Sequence, residues 1–252
     1  MKTLSFIKAK HPELFWFSML CLGGALLCVA LINTTSVVVA GVNAWLKPFK
    51  FFTSVALLSL TAGYFLQFLP DKKQGSLYSW SMIVLLSFEL LLIVFQAARG
   101  KASHFNISTP ADKLIFNLMA LAITLFMVHT SYIAIRFFMI PSTTGQPLVL
   151  FAFKLSLIIL IIFAFEGFAM GAMLKHTVGA PDGGKGLPIV NWSSHNGDLR
   201  IAHFLGIHAI QIVPLASAAL ARTKRDVVTI AFAYLIIVTA TFLRALSGKP
   251  LF

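Results

Sequence analysis

The stretch 191–211, Asn-Trp-Ser-Ser-His-Asn-Gly-Asp-Leu-Arg-Ile-Ala-His-Phe-Leu-Gly-Ile-His-Ala-Ile-Gln, passes from polar to apolar and carries ionisable and amide side chains with it. At about 100° per residue from Arg200, His203 falls near −60°, Gln211 near 20° and His208 near 80°. A continuous helix would therefore gather the four on one broad face. Its surroundings read as membrane-embedded, where an ionisable group is costly and points to function.

Further such groups lie in other apolar runs. A rise of about 1.5 Å per residue places His208 about 12 Å inside its helix and Glu166 at a similar depth. Glu89 falls about 15 Å inside the Arg99 end of its run, and His129 about 16 Å from Pro141. Gln96 follows Glu89 by seven residues, on the same helical face. Glu89 and Glu166 also fit protonated packing residues, and Gln96 and Gln211 interhelical hydrogen-bond partners.

Three chemistries suit this set. The first and leading one is redox: haem b between His129 and His208, or a transition metal held by His208 or His203 together with His129 and Glu166, from three helices. Lys50, Arg99, Arg200 and Arg244, with Gln96 and Gln211, would bind the cofactor or another anionic group. The second is transport of an anionic or amphiphilic solute through a channel or proton-coupled carrier, with Glu89, Glu166 and His208 carrying protons. The third is a membrane-embedded hydrolase or transferase with Glu89, Glu166 and His104 as catalytic groups. A metal held by one helix is disfavoured, because His203 and His208 are five residues apart and point about 140° from each other.

These residues need helices to position them. Of 252 residues, 58% are hydrophobic and 11% charged, and the mean hydropathy is +0.89. These are values of an integral membrane protein. The pattern predicts a single all-α transmembrane domain over 1–252, a bundle of seven spans at 14–32, 48–69, 77–97, 112–140, 148–174, 200–221 and 227–246. Each approaches the roughly 20 residues that cross a bilayer. The first run is longer than a signal-peptide core and is expected to be retained as a helix. The tract Gly179–Pro188 reads as a flexible loop, with an anion cradle as the rival.

The net charge of +12 is spread over short segments between spans, which suits lipid headgroups and excludes a nucleic-acid face. The basic residues divide ten against ten between the two sides. Five of the seven histidines, His104, His176, His195, His203 and His208, belong to the side holding the C-terminus. We expect that to be the working side, the N-terminus being cytoplasmic and the C-terminus outside. Cys21 and Cys28, about 10 Å apart in rise on one helix, cannot form a disulfide. The third and seventh runs share an ending, Phe-Gln-Ala-Ala-Arg-Gly100-Lys and Phe-Leu-Arg-Ala-Leu-Ser-Gly248-Lys, a sign of internal repetition.

The motif Gly197-Asp-Leu-Arg-Ile-Ala-His-Phe-Leu-Gly-Ile-His-Ala-Ile-Gln211 resembles one in bacterial polytopic membrane proteins of unassigned function. Trp45-Leu-Lys-Pro-Phe-Lys-Phe51 and Arg244-Ala-Leu-Ser-Gly-Lys-Pro-Leu251 fit the same pattern. The resemblance implies a bacterial cytoplasmic membrane and no particular activity. A retinal protein is disfavoured because the seventh run has no interior lysine.

Overall fold

The computed structural model describes residues 2–141 and 146–251. The protein is all-α and polytopic, 74% helical. Six helices are long and apolar enough to cross a bilayer: α2 (Pro12–Thr34), α3 (Leu46–Phe65) with its 3-10 extension Leu66–Phe68, α4 (Lys72–Ala98), α5 (Pro110–Phe138), α6 (Pro147–Met173) and α9 (Lys224–Leu246). A short α1 (Lys2–Lys10) precedes them. α7 (Leu199–Ile207) and α8 (Ala209–Leu220) form a pair bent by 55°, which as one broken span would be the seventh. Exposed Leu20, Leu26, Leu215 and Leu220 supply the apolar surface a bilayer requires.

The helix ends follow local rules. Proline opens α2, α5 and α6, where its missing N–H costs nothing. Asp71 caps α4 by accepting from Lys73 N and Gln74 N, and Thr223 and Asp226 close a capping box on α9.

The chain divides into two compact units, Met1–Thr130 and Ser131–Phe252. In the first, α2 packs along α3. A Cβ on Gly24 would lie 2.7 Å from the Phe52 ring, so the glycine is a notch for that ring. Ser18 Oγ donates to the Ala56 carbonyl at 3.0 Å across the same interface. Between the helices runs an antiparallel pair, β1 (Val38–Val39) and β2 (Val42–Asn43), with Val38 opposite Asn43. Ala40 and Gly41 make its turn at φ 49° and 78°. Asn43 then joins three segments: its Nδ2 donates to the carbonyls of Ile32 and Thr35, and its Oδ1 accepts from Trp45 N.

In the second unit, α6 is apolar apart from Lys154, Ser156 and Glu166 and is half buried, against 22% for α9. It is the helix on which α7, α8 and α9 pack, through Ile159, Phe163, Ala202, Val213 and Val238. A second antiparallel pair, β3 (Thr177–Val178) and β4 (Gly197–Asp198), follows α6 with Thr177 opposite Asp198.

The two units thus repeat one order: helix, two-residue strand pair, helix, helix. The agreement extends to single hydrogen bonds. Asn43 and Asp198 occupy the same register position, and each accepts from the backbone N–H two residues on. α4 and α9 both end at a left-handed glycine, Gly100 (φ 64°) and Gly248 (φ 74°). Lys101 N reaches back to Gln96 O as Lys249 N does to Arg244 O, the six-to-one bond of a Schellman cap. A glycine–phenylalanine notch also recurs with its sides exchanged, Gly24 against Phe52 and Gly206 of α7 against Phe163 of α6.

The bend at His208 corrects the expectation of one unbroken helix over 200–221, and with it the single face assigned to Arg200, His203, His208 and Gln211. Pro214 lies inside α8, so the Ile210 carbonyl has no N–H to accept from at position 214. One turn earlier the Leu205 carbonyl instead accepts from Tyr234 Oη at 2.7 Å. A side chain of α9 thereby satisfies a backbone group at the break, as a kink within a membrane requires.

Candidate functional site

Two carboxyl–imidazole pairs stand out, one in each unit. In the second unit His203, on α7, reaches α6 where Gly167 has no side chain. A Cβ there would lie 3.0 Å from His203 Cε1. The imidazole therefore rests against backbone, with Nδ1 2.7 Å from the Phe163 carbonyl and 3.4 Å from Glu166 Oε2. A carbonyl only accepts, so Nδ1 carries the hydrogen. The Glu166 side chain is 6% exposed and that of His203 31%. Both Glu166 oxygens are buried without a hydrogen-bond partner, although the imidazole stands at ion-pair distance. A buried carboxyl thus lies behind a half-accessible imidazole.

The first unit builds a similar pair by another route. Glu89 lies nine residues, about 13 Å of rise, before the end of α4, yet His104 Nε2 is 3.4 Å from its Oε1. The chain after α4 must turn back along the helix to bring them together. Ser103 is buried in that turn, with its Oγ 3.1 Å from His104 Nδ1. When this hydroxyl donates, the ring hydrogen sits on Nε2, toward Glu89. Rings of Phe51, Phe105 and Phe116 surround the imidazole at centroid distances of 5.8, 6.1 and 6.4 Å. Phe105 holds a left-handed backbone (φ 59°), strain of a kind that clusters at functional sites. The Glu89 side chain is 7% exposed against 26% for His104, and Glu89 Oε2 is buried without a partner.

The basic residues expected to hold an anion are engaged by their own chain. Arg200 Nε and Nη2 contact Asp198 Oδ1 and Oδ2 at 2.9 and 2.6 Å, and Nη2 also donates to the Asn191 carbonyl. Asp198 has a fully buried side chain. Burial pushes its carboxyl up, but the hydrogen bonds and charge of Arg200, the Ser193 N–H and the nearby His176 outweigh that and hold it below the usual range. Arg99 donates to Gln96 Oε1 at 2.7 Å and to Asp112 Oδ1 at 3.2 Å. Buried Asp112 also takes Lys101 Nζ at 2.8 Å, Thr109 Oγ1 at 2.7 Å and Gln96 Nε2 at 3.1 Å. Arg244 Nε donates to the Pro250 carbonyl at 2.6 Å, and Lys50 lies in the second turn of α3. In the tract Gly179–Pro188, Asp182 accepts from the backbone N–H groups of His176 and Thr177, so this loop is pinned by its own carboxylate.

No protein-family profile, curated protein or solved structure matches the chain. Its chemistry must be read from its own side chains.

The remaining candidates sit in separate settings. His129, in the first unit, has Nδ1 2.7 Å from Ser81 Oγ and its ring edge-on to Tyr78, whose hydroxyl is 3.0 Å from Thr130 Oγ1. His208, in the second, is buried at the helix break with Nδ1 3.2 Å from Gln211 Oε1 and its ring 4.3 Å from that of Phe204. Among the described residues no three His, Cys, Asp or Glu side chains gather as metal ligands would.

Sequence reasoning missed Asp112 and Asp198 as the partners of the two arginines. An aspartate ahead of an apolar run is the available signal, and it reads first as a helix cap. Lys154 lies within α6 and not in a segment between spans. That ammonium is buried and donates to the Ile140 carbonyl at 2.6 Å, just beyond the last turn of α5.

Proposed function

We propose that this multi-pass membrane protein is a proton-coupled transporter or channel for an anionic or amphiphilic solute, in a bacterial cytoplasmic membrane with its N-terminus inside. The observation that carries the reading is Glu166 and His203. Glu166 is a buried carboxyl with neither oxygen hydrogen-bonded, and an ionisable group within a membrane span marks an ion or proton path. The half-exposed imidazole of His203, within ion-pair reach, is the group to deliver a proton or take it away. Glu89 and His104 repeat the arrangement on other elements.

The architecture supports the same reading. Repeated units and discontinuous spans recur in transporters, where the break in a helix lies at the binding region. Here the break is at His208, one turn from Gln211 and five residues from His203. Because Arg99 and Arg200 already face carboxylates, the solute's charge would be met by the imidazole of a pair or by the proton itself.

The test is uptake into proteoliposomes of carboxylates, phosphate esters and amphiphilic anions, with and without an inward proton gradient. The proposal expects the gradient to drive uptake of at least one solute and Glu166→Gln to abolish that dependence. Indifference of every solute to the gradient, or an unchanged Glu166→Gln protein, contradicts it.

The second reading, a haem- or metal-dependent redox protein, draws on one feature. The Nδ1 atoms of His129 and His208 are each held by a neighbour, as the outer nitrogen of a ligating histidine is. A Soret band lost in His208→Ala, or a stoichiometric transition metal, would favour it over transport.

A further inference from the structure

One cavity lies apart from both pairs. It occupies the end of the first unit where α2 and α4 begin and α3 finishes, has a volume of about 370 Å³, and is lined by Phe6, Lys10, His11, Glu13, Gln67 and Lys72, with Ser76. We infer that it is a binding site for an anionic phosphodiester headgroup, one that carries no cation of its own.

The site is formed by α1. Nothing in the apolar spans requires a nine-residue helix of low hydrophobicity here, yet it is seated. Ile7 is 2% exposed and fills the space left by Gly63, where a Cβ would lie 2.8 Å from Ile7 Cγ2. The chain then turns at His11 into α2, whose first turn has no side-chain cap. The seating of Ile7 brings Lys10 and Phe6 to one wall of the cavity. The 3-10 turn and the start of α4 bring Gln67 and Lys72 to the other.

The charges specify the ligand. Glu13 stands 3.3 Å from His11 Nδ1 and has a partner of its own. Lys72 Nζ donates to the Gln67 carbonyl at 3.3 Å, and Lys10 is exposed. With Glu13 turned to His11, the two lysines leave the cavity cationic, the complement of an anionic phosphodiester. The Gln67 amide and the Ser76 hydroxyl add hydrogen-bonding groups, and Phe6 gives apolar contact for the start of the acyl chains. Basic pockets between helices at a membrane surface take lipid phosphates on these terms. A free phosphate offers the same oxygens, so the experiment must separate the two sources.

The full chain in detergent is loaded with phosphatidylglycerol, and bound lipid per chain is read by native mass spectrometry. Inorganic phosphate is the competitor, and phosphatidylcholine the control with a bulky cation. We expect one phosphatidylglycerol to be retained and its retention to fall by about tenfold in Lys10→Gln/Lys72→Gln. Gly63→Val, which displaces Ile7 and with it the wall that carries Lys10 while keeping both lysines in the sequence, should reduce it too. Displacement by millimolar inorganic phosphate would assign the same oxygen-binding site to the free ion. Equal retention by the double-lysine variant and the parent, with no phosphate binding to either, would overturn the inference, as would equal retention of phosphatidylcholine.

Discussion

His203 Nδ1 lies 2.7 Å from the Phe163 carbonyl and 3.4 Å from Glu166 Oε2. One N–H therefore faces a fixed acceptor and a titratable one. The bond to Phe163 holds the ring, and a small rotation about it would bring the same N–H to the carboxyl.

Glu166→Gln keeps the shape and removes the titration. We expect its melting temperature to be no lower than the parent's, since a neutral amide replaces a carboxyl without hydrogen bonds, while pH-dependent transport is lost. A thermal scan beside the uptake assay separates this from a folding defect.

Gly167 acts by leaving room. Gly167→Val would put carbon where the His203 ring now lies and push the imidazole off α6. Overpacking of this kind costs about 1–3 kcal/mol. The sharper expectation is a shifted pH profile of uptake with the Glu166 carboxyl untouched, whereas a purely structural glycine would lower activity equally at every pH.

Tyr234 should matter for stability and little for chemistry. Its hydroxyl holds the Leu205 carbonyl at the helix break, and interhelical hydrogen bonds in membranes are worth roughly 0.6 kcal/mol, at most about 1.7. Tyr234→Phe is expected to fall in that range by denaturant titration, well below the cost of a lost core side chain.

Asp198 gives the protein an acid limb. Its carboxyl is held below the usual range when folded, whereas an unfolded aspartate titrates near pH ~4. The stabilisation from this group is thus fully present above about pH 5 and is lost as the pH falls through the folded value. Melting temperature against pH should drop on the acid side in the parent. In Asp198→Asn it should be lower at neutral pH and flatter between about pH 5 and 3.

Much of the fold was legible because a span is a composition. Runs of about 20 apolar residues mark α2 to α6 and α9 to within a few positions, and the shared Gly-Lys endings of the third and seventh runs expose the repeat. The break at His208 was not legible from hydrophobicity, which stays high on both sides of it. Pro214 was the signal, displaced from the bend by six residues. Glu166 and His203 were singled out separately from the cost of burying charge, but their meeting depends on the absent side chain of Gly167. Pairing His104 with Glu89 needed a chain that folds back along α4, and no helical periodicity encodes that. Arg99 and Arg200 read as a cationic rim because residue types record charge and omit partners. Asp112 neutralises the first from thirteen positions away, and Asp198 the second from only two.

The most direct test of the central claim asks whether these carboxyls exchange protons at all. Infrared difference spectra of the reconstituted full-length protein, recorded as bulk pH is stepped, report the C=O stretch of protonated carboxyls. The account predicts a titrating band that loses part of its intensity in Glu166→Gln, another part in Glu89→Gln, and nearly all in the double variant. It also predicts that His203→Ala slows or displaces the Glu166 component. A carboxyl band that ignores pH, or one that persists unchanged in the double variant, would contradict it.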